Sequence, residues 1–254
     1  MSDITTDVQV ELLLPHEIDD ALAKRSVVYI PLGSIEYHSR HLPVGLDGLN
    51  AHGVCIRAAA RAGGIVLPAL YYGVGGGHTS YPWTIMANSG PPLSDLLEET
   101  LRRLASFEVK VAVLFTGHFS DEQLMLIDEL ADRWNTSRAS PKALALSVNR
   151  TDARTAPDHP GIFETTLLSS MWPDRVQLDR LPSLSEVPAD SSDPVAGYDH
   201  RHDPAHPLWG VMGPDPRAYD PDHASALLED VVSWTTAQVD RCFTTSSAAA
   251  SGGV

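Results

Sequence analysis

Short apolar, β-branched runs alternate with longer amphipathic stretches along this 254-residue chain. The runs Val27–Leu32, Ile65–Leu70, Lys110–Thr116 and Ala143–Val148 are each bounded by Gly, Pro or polar residues, and they predict buried strands. Helical spacing predicts helices over Pro15–Lys24, Leu49–Ala62, Ser94–Phe107 and Asp121–Trp134, several of them opened by Asp or Ser caps, and a last one over His223–Arg241. Leu96, Leu97, Leu101 and Leu104 follow helical spacing and are assigned to core packing. Strand–helix alternation of this kind implies an α/β fold with a mostly parallel central sheet covered on both faces. The stretch from Leu181 to Asp222 keeps neither period and is rich in Pro, Asp, Ser and His, which predicts a long loop near the site. The pattern fits one domain over 1–243, and the small residues of 244–254 bury too little surface to order themselves, so that tail is expected to be disordered.

Composition narrows the partners. Asp and Glu total 33 against 18 Lys and Arg, for a formal charge of −15, and no basic run occurs. Nucleic acid and anionic membrane are therefore not expected partners. No apolar stretch approaches the roughly 20 residues that span a bilayer, and the acidic start has no signal-peptide layout, so a cytoplasmic protein is expected. The two cysteines, Cys55 and Cys242, are read as reduced core thiols rather than a disulfide or a zinc site. The eleven histidines cluster, and this directs attention to metal chemistry.

Three constellations carry that chemistry. The first follows the first strand: Gly33-Ser34-Ile35-Glu36-Tyr37-His38, continuing through His41-Leu42-Pro43 to Asp47. Glu36 and His38 lie two apart, so in an extended segment they project to one side, and Asp47 on the return of the loop is placed to bridge them. Carboxylates combined with imidazoles suit Zn, Mn or Fe, and a bridged pair of such ions polarises a carbonyl and generates hydroxide near neutral pH. The second constellation, Thr116-Gly117-His118-Phe119-Ser120-Asp121, also falls at a strand end and opens a helix, and the third runs from His159-Pro160-Gly161 to Glu164-Thr165. Binding groups of open α/β sheets gather beyond the carboxyl ends of strands.

Over roughly residues 10–240 the chain resembles the creatininase family of metal-dependent amidohydrolases. The family's Gly-Ser-x-Glu-x-His segment, with its His-Leu-Pro and an Asp eleven residues after the Glu, is met by Gly33, Ser34, Glu36, His38, His41, Leu42, Pro43 and Asp47. Its Gly-His is met by Gly117-His118, its His-x-Gly-x-x-Glu-Thr by His159, Gly161, Glu164 and Thr165, and its Gly-Val-x-Gly-Asp-Pro segment by Gly210 to Arg217 with an extra Pro214. The resemblance implies a three-layer α/β/α fold, a homo-oligomer that is frequently a hexamer, and two divalent metal ions. It assigns Glu36 and His118 to one metal, His38 to the other, and Asp47 to the bridge. It also makes His159 an active-site histidine that binds substrate or moves a proton. The enzyme that names the family carries a glutamate two residues after the Gly-His histidine, where this chain has Ser120. The second metal then needs another donor, for which Glu164 is preferred and Asp121 is the rival.

Around that core, His78, Tyr81 and Trp83 are expected to line the substrate pocket, in place of the family's usual Pro-Gly-Thr. The glycines before His78 match neither a dinucleotide fingerprint nor a P-loop. Ser34 reads as a turn residue, because no nucleophile elbow surrounds it. The run Asp199-His200-Arg201-His202-Asp203 reads as an exposed polar loop ahead of a second metal site. The expected activity is hydrolysis of a C–N amide-type bond in a small, cyclic or formylated polar molecule. C–C hydrolysis of a cyclic polyol ketone is the alternative, and a non-catalytic metal-stabilised assembly protein the second.

Overall fold

The computed structural model describes residues 8–76, 80–138, 140–189 and 198–251, with 244–251 as helical backbone. Four strands, β1 (Val27–Leu32), β2 (Ile65–Val66), β3 (Val111–Thr116) and β4 (Lys142–Ser147), form a parallel sheet in the order β2-β1-β3-β4. Every residue of β1 and β3 is buried, as expected of central strands covered on both faces. Side chains alternate between two cores. Val27, Tyr29, Val111, Val113 and Phe115 face one side with helices α2 (Leu46–Ala62), α5 (Ile162–Ser169) and α6 (Ala224–Ser251). Val28, Ile30, Leu32, Ala112 and Leu114 face the other with α1 (Pro15–Lys24), α3 (Pro91–Ser106) and α4 (Asp121–Ser137). The result is the three-layer α/β/α architecture. Cys55 and Cys242 are both buried in the first core.

Several expected boundaries shift for local reasons. The strand expected over Ile65–Leu70 pairs regularly only at Ile65 and Val66, because Pro68 offers no amide and the chain beyond keeps single bonds to β1, from Leu67 to the Tyr29 carbonyl and from Leu70 to that of Pro31. Helix α3 begins earlier than expected, with proline in its first turn, where a missing amide costs nothing. Leu93, Leu97, Leu101 and Leu104 form its buried stripe, whereas Leu96, one position off that stripe, is 51% exposed and not part of the core. Helix α2 also starts earlier, at Leu46, so Asp47 stands in the first turn of a helix rather than on the return of a loop, where an acid is favoured by the helix dipole. The tail expected over 244–254 falls on the last turns of α6 and, from 252, outside the described residues.

Strand order places β1 and β3 side by side with their connections leaving in opposite directions, which opens a crevice beyond their carboxyl ends. The start of α2 is pressed into that crevice against two glycines. A Cβ on Gly33 would lie 2.2 Å from the Gly48 amide nitrogen, and one on Gly117 would lie 2.1 Å from the Asp47 carbonyl oxygen. Leu42, Leu46 and Leu168 pack the same turn against α5. Gly117→Ala is therefore expected to destabilise the protein by about 1–3 kcal/mol, through overpacking against backbone that cannot swing away. Thermal denaturation checks this, and an unchanged Tm would contradict the close approach.

Candidate metal centre

Glu36, His38, Asp47, His118, His159 and Glu164 come together at the crevice. Glu36 and His38 follow β1, His118 follows β3, Asp47 is on α2, and Glu164 is in the first turn of α5. Asp47 is shared by its two oxygens. Oδ1 lies 3.2 Å from His38 Nε2, and Oδ2 lies 3.2 Å from His118 Nδ1. Glu36 Oε2 stands 3.0 Å from His118 Nδ1, and Glu164 Oε2 stands 3.7 Å from His38 Nε2. Two groups of metal-compatible donors result, Glu36–Asp47–His118 and His38–Asp47–Glu164; a third, Glu36–His38–His159, takes donors from both.

Backbone carbonyls set the orientation of both imidazoles. His38 Nδ1 is 2.9 Å from the Glu36 carbonyl oxygen, to which it donates, so Nε2 faces Asp47 and Glu164 and, in the neutral ring, its lone pair points at them. His118 Nε2 is 3.1 Å from the Val74 carbonyl, so its Nδ1 lone pair faces Glu36 and Asp47. His38 Nε2 and Glu164 Oε2 are buried and satisfy no hydrogen bond, although each lies within 4 Å of other donor atoms. Buried polar atoms are seldom left so, and converging imidazole nitrogens and carboxylate oxygens are the donor set that Zn, Mn or Fe accepts. The residues present fit the ions that the resemblance implies.

The charges point the same way. Burial disfavours a charge on His38, yet the adjacent carboxylates of Asp47 and Glu164 push its imidazole up to about 10. His118 is likewise raised, against burial, by Asp47 and Glu36. Despite burial, His38 and His118 hold the Asp47 carboxyl well below the usual range, and His159 and His118 hold Glu36 below it. Burial pushes the Glu164 carboxyl up, against the opposing pull of His159 and His38. In the metal-free protein the imidazolium protons supply the positive charge that this cluster needs.

Neighbouring residues take supporting places. Ser34, expected as a turn residue, is buried and donates to Asp47 Oδ2 at 2.6 Å, so it fixes the shared carboxylate. Ser120 donates to the Val74 carbonyl at 2.7 Å and caps α4 by accepting from the Gln123 amide, while Asp121 is exposed and joins none of the donor groups. Of the two rivals, Glu164 is the one that reaches the centre. Its side chain does not cap its own helix, because the Asp158 carboxylate accepts from the amides of Gly161 and Phe163. His41 faces Thr165 Oγ1 at 3.0 Å and is held neutral by burial and by His38, its pKa lowered to about 3.

Above the donors lies a cavity of about 180 Å³ lined by Gly76, Phe119, Ser120 and His159 together with Glu36, Asp47, His118 and Glu164. Phe119 was not anticipated from the sequence. His159 is 17% exposed there, 3.6 Å from Glu36 Oε1 and 3.4 Å from Glu164 Oε2. Tyr81 and Trp83 do not line this cavity. The Tyr81 ring is taken up by a stack with Tyr37 at 5.4 Å and a tilted contact with Trp209 at 5.2 Å, and Trp83 is 79% exposed. His78 lies outside the described residues. The Asp199–Asp203 run is not simply an exposed loop: Arg201 is fully buried and donates to the carbonyls of Val211 and Gly213.

The family model described as creatininase, creatinine amidohydrolase, matches residues 12–239. The chain belongs to the creatininase family. Among its curated relatives, a creatinine amidohydrolase of Pseudomonas putida is 28% identical over 177 residues, covering 61% of this chain and 68% of the relative. A mycofactocin precursor peptide peptidase of Mycolicibacterium smegmatis is 29% identical over 168 residues, and the match spans 64% of that peptidase. A crystal structure of creatininase superposes with a TM-score of 0.73 at 26% identity, covering 93% of this chain and 98% of the other. A mutant creatininase described as the Zn–Zn type gives the same TM-score at 25% identity, with coverage of 93% and 98%. As a creatininase-family protein the chain is a hydrolase. No described helix is long and apolar enough to cross a membrane.

The protonation pattern yields a test. A ligating imidazole must be neutral, so if His38 is a ligand, metal loading displaces its proton. With its pKa at about 10 in the metal-free fold, against about 6.5 unfolded, His38 is charged at pH 8. Its stabilisation of the metal-free fold is complete below about pH 6.5 and is lost as pH rises through about 10. Metal loading at pH 8 is expected to release protons, and apparent affinity to rise with pH towards 10. Calorimetry in two buffers of different ionisation enthalpy measures the release, and none at pH 8 would contradict the assigned charge state.

Proposed function

We propose that the protein hydrolyses a C–N amide-type bond in a small, cyclic or formylated polar molecule, with two divalent metal ions held by Glu36, Asp47 and His118 on one side and by His38, Asp47 and Glu164 on the other. The observation that carries this reading is the division of Asp47, with one oxygen toward each imidazole. When bound, such ions polarise a carbonyl and lower the pKa of water.

The protein's own groups supply the rest. His159 stands at the cavity with both ring nitrogens near carboxylates, placed to take a proton from the attacking water and deliver it to the departing nitrogen as the C–N bond breaks. Against the effect of burial, Glu36 and Glu164 raise its imidazole above the usual range. Phe119 supplies an apolar wall and Gly76 lets backbone approach the donors. The space of about 180 Å³ suits a small molecule. Creatinine itself is not favoured, because Ser120 occupies the glutamate's place and its hydroxyl is already engaged by Val74 and the α4 cap. A soluble homo-oligomer is part of the proposal, with the net charge of −15 opposing aggregation.

Two measurements test the reading. Protein stripped by a chelator and reloaded with zinc or manganese is assayed against lactams, formamides, short peptides and cyclic polyol ketones. Metal-restored amide cleavage by a protein that stays folded when stripped is expected, and turnover of the ketones alone would replace the C–N reading with C–C hydrolysis. Glu164→Gln is expected to halve the bound metal and abolish turnover. Full metal occupancy with full activity in that variant would remove Glu164 from the centre.

A further inference from the structure

Helix α5 carries Glu164, yet its own composition does little to fix how it is rolled. Seven of its eight residues, Phe163 to Ser169, are buried, so no polar face distinguishes one rotation from another. The feature that does distinguish them stands just ahead of it. Asp158 is buried, and its carboxylate accepts from the Gly161 amide at 2.8 Å, the Phe163 amide at 2.9 Å and the Glu164 amide at 3.5 Å.

The slot around Asp158 is tightly built. A Cβ on Gly161 would lie 2.5 Å from Asp158 Oδ2 and 2.7 Å from the Pro214 carbonyl, and a Cβ on Gly213 would lie 2.5 Å from Asp158 Cβ. The next residue, His159, is bridged to Met212 backbone to backbone, and buried Arg201 binds the carbonyls on either side of Met212. The side chain is thus held from the 210–214 segment while it grips the first turn of α5.

We propose that Asp158 is a positioning residue that sets the roll of α5, and so the distance of the Glu164 carboxylate from His38 and Asp47. This rests on the reading that Glu164 completes the second metal site. Groups that orient metal ligands without touching the ion are worth about 10–100-fold in affinity.

Zinc(II) titrated calorimetrically into chelator-stripped protein tests it. Wild type is expected to take two ions per chain. Asp158→Ala is expected to bind the first ion as wild type does and the second about 10–100-fold more weakly. Asp158→Asn, which keeps one carbonyl-type acceptor, is expected to fall between them and is the variant to read if the alanine protein does not fold. Trp134→Phe controls for stability alone, since it removes a buried bond from Trp134 to the Pro141 carbonyl away from the centre, and both of its zinc sites are expected to stay at wild-type affinity. Two wild-type ions with an unchanged second affinity in both Asp158 variants would overturn the positioning role and leave the two-metal reading intact. An equal loss in Trp134→Phe would overturn it too, by making the effect one of general stability. Fewer than two ions in wild type would overturn the two-metal reading itself, and the positioning role with it.

Discussion

Three carboxylates buried within one cluster are the constraint on which the rest of the structure depends. Glu36, Asp47 and Glu164 are all nearly inaccessible to water, and charges taken out of water are tolerated only when opposite charge is close. Asp47 and Glu164 face histidines, and the oriented lone pairs of His38 and His118 are those a cation would use. The supporting details serve this arrangement. Two backbone carbonyls fix the imidazoles, Ser34 steadies the shared carboxylate, and the α2 amino end brings Asp47 into a field that favours an acid.

The parallel sheet makes the cluster possible because it delivers unrelated segments to one edge. Adjacent strands β1 and β3 end in register, Leu32 opposite Thr116, so the residues that follow them emerge side by side. Glycine at 33 and at 117 then lets the α2 backbone enter between them. The glycine-rich stretch after Tyr72 has a comparable role. A Cβ on Gly73 would lie 3.0 Å from the Gly33 carbonyl and 3.1 Å from His118 Cδ2, and Gly76, at a φ of +90°, lies over the donors. These glycines let main chain approach the donor cluster closely.

Much of this was legible in the sequence because the signals were local. Strands β1 and β3 are uninterrupted apolar runs, Glu36, His38 and His118 occupy motif positions just beyond strand ends, and Asp47 keeps its motif spacing from Glu36 at the start of α2. The failures came where long-range packing decides. Leu96 looked like core by spacing, but the sheet lies one position away on that helix. Ser34 and Asp158 each bond to groups in the site, which no spacing rule reveals. Tyr81 stands in the segment that replaces the family's Pro-Gly-Thr and is expected from it at the pocket, yet Tyr37 and Trp209 capture its ring. Arg201 lay in a run that reads as solvated, and only the fold shows the carbonyls that bury it.

In the proposed function one carboxylate, Asp47, joins two metal sites. Electron paramagnetic resonance of protein loaded with two equivalents of manganese(II) tests it most directly, because ions bridged by a carboxylate couple magnetically and separated ions do not. The spectrum of a coupled pair is expected, replaced by that of isolated manganese in Asp47→Ala. Isolated-ion spectra at full loading of the unaltered protein would contradict it.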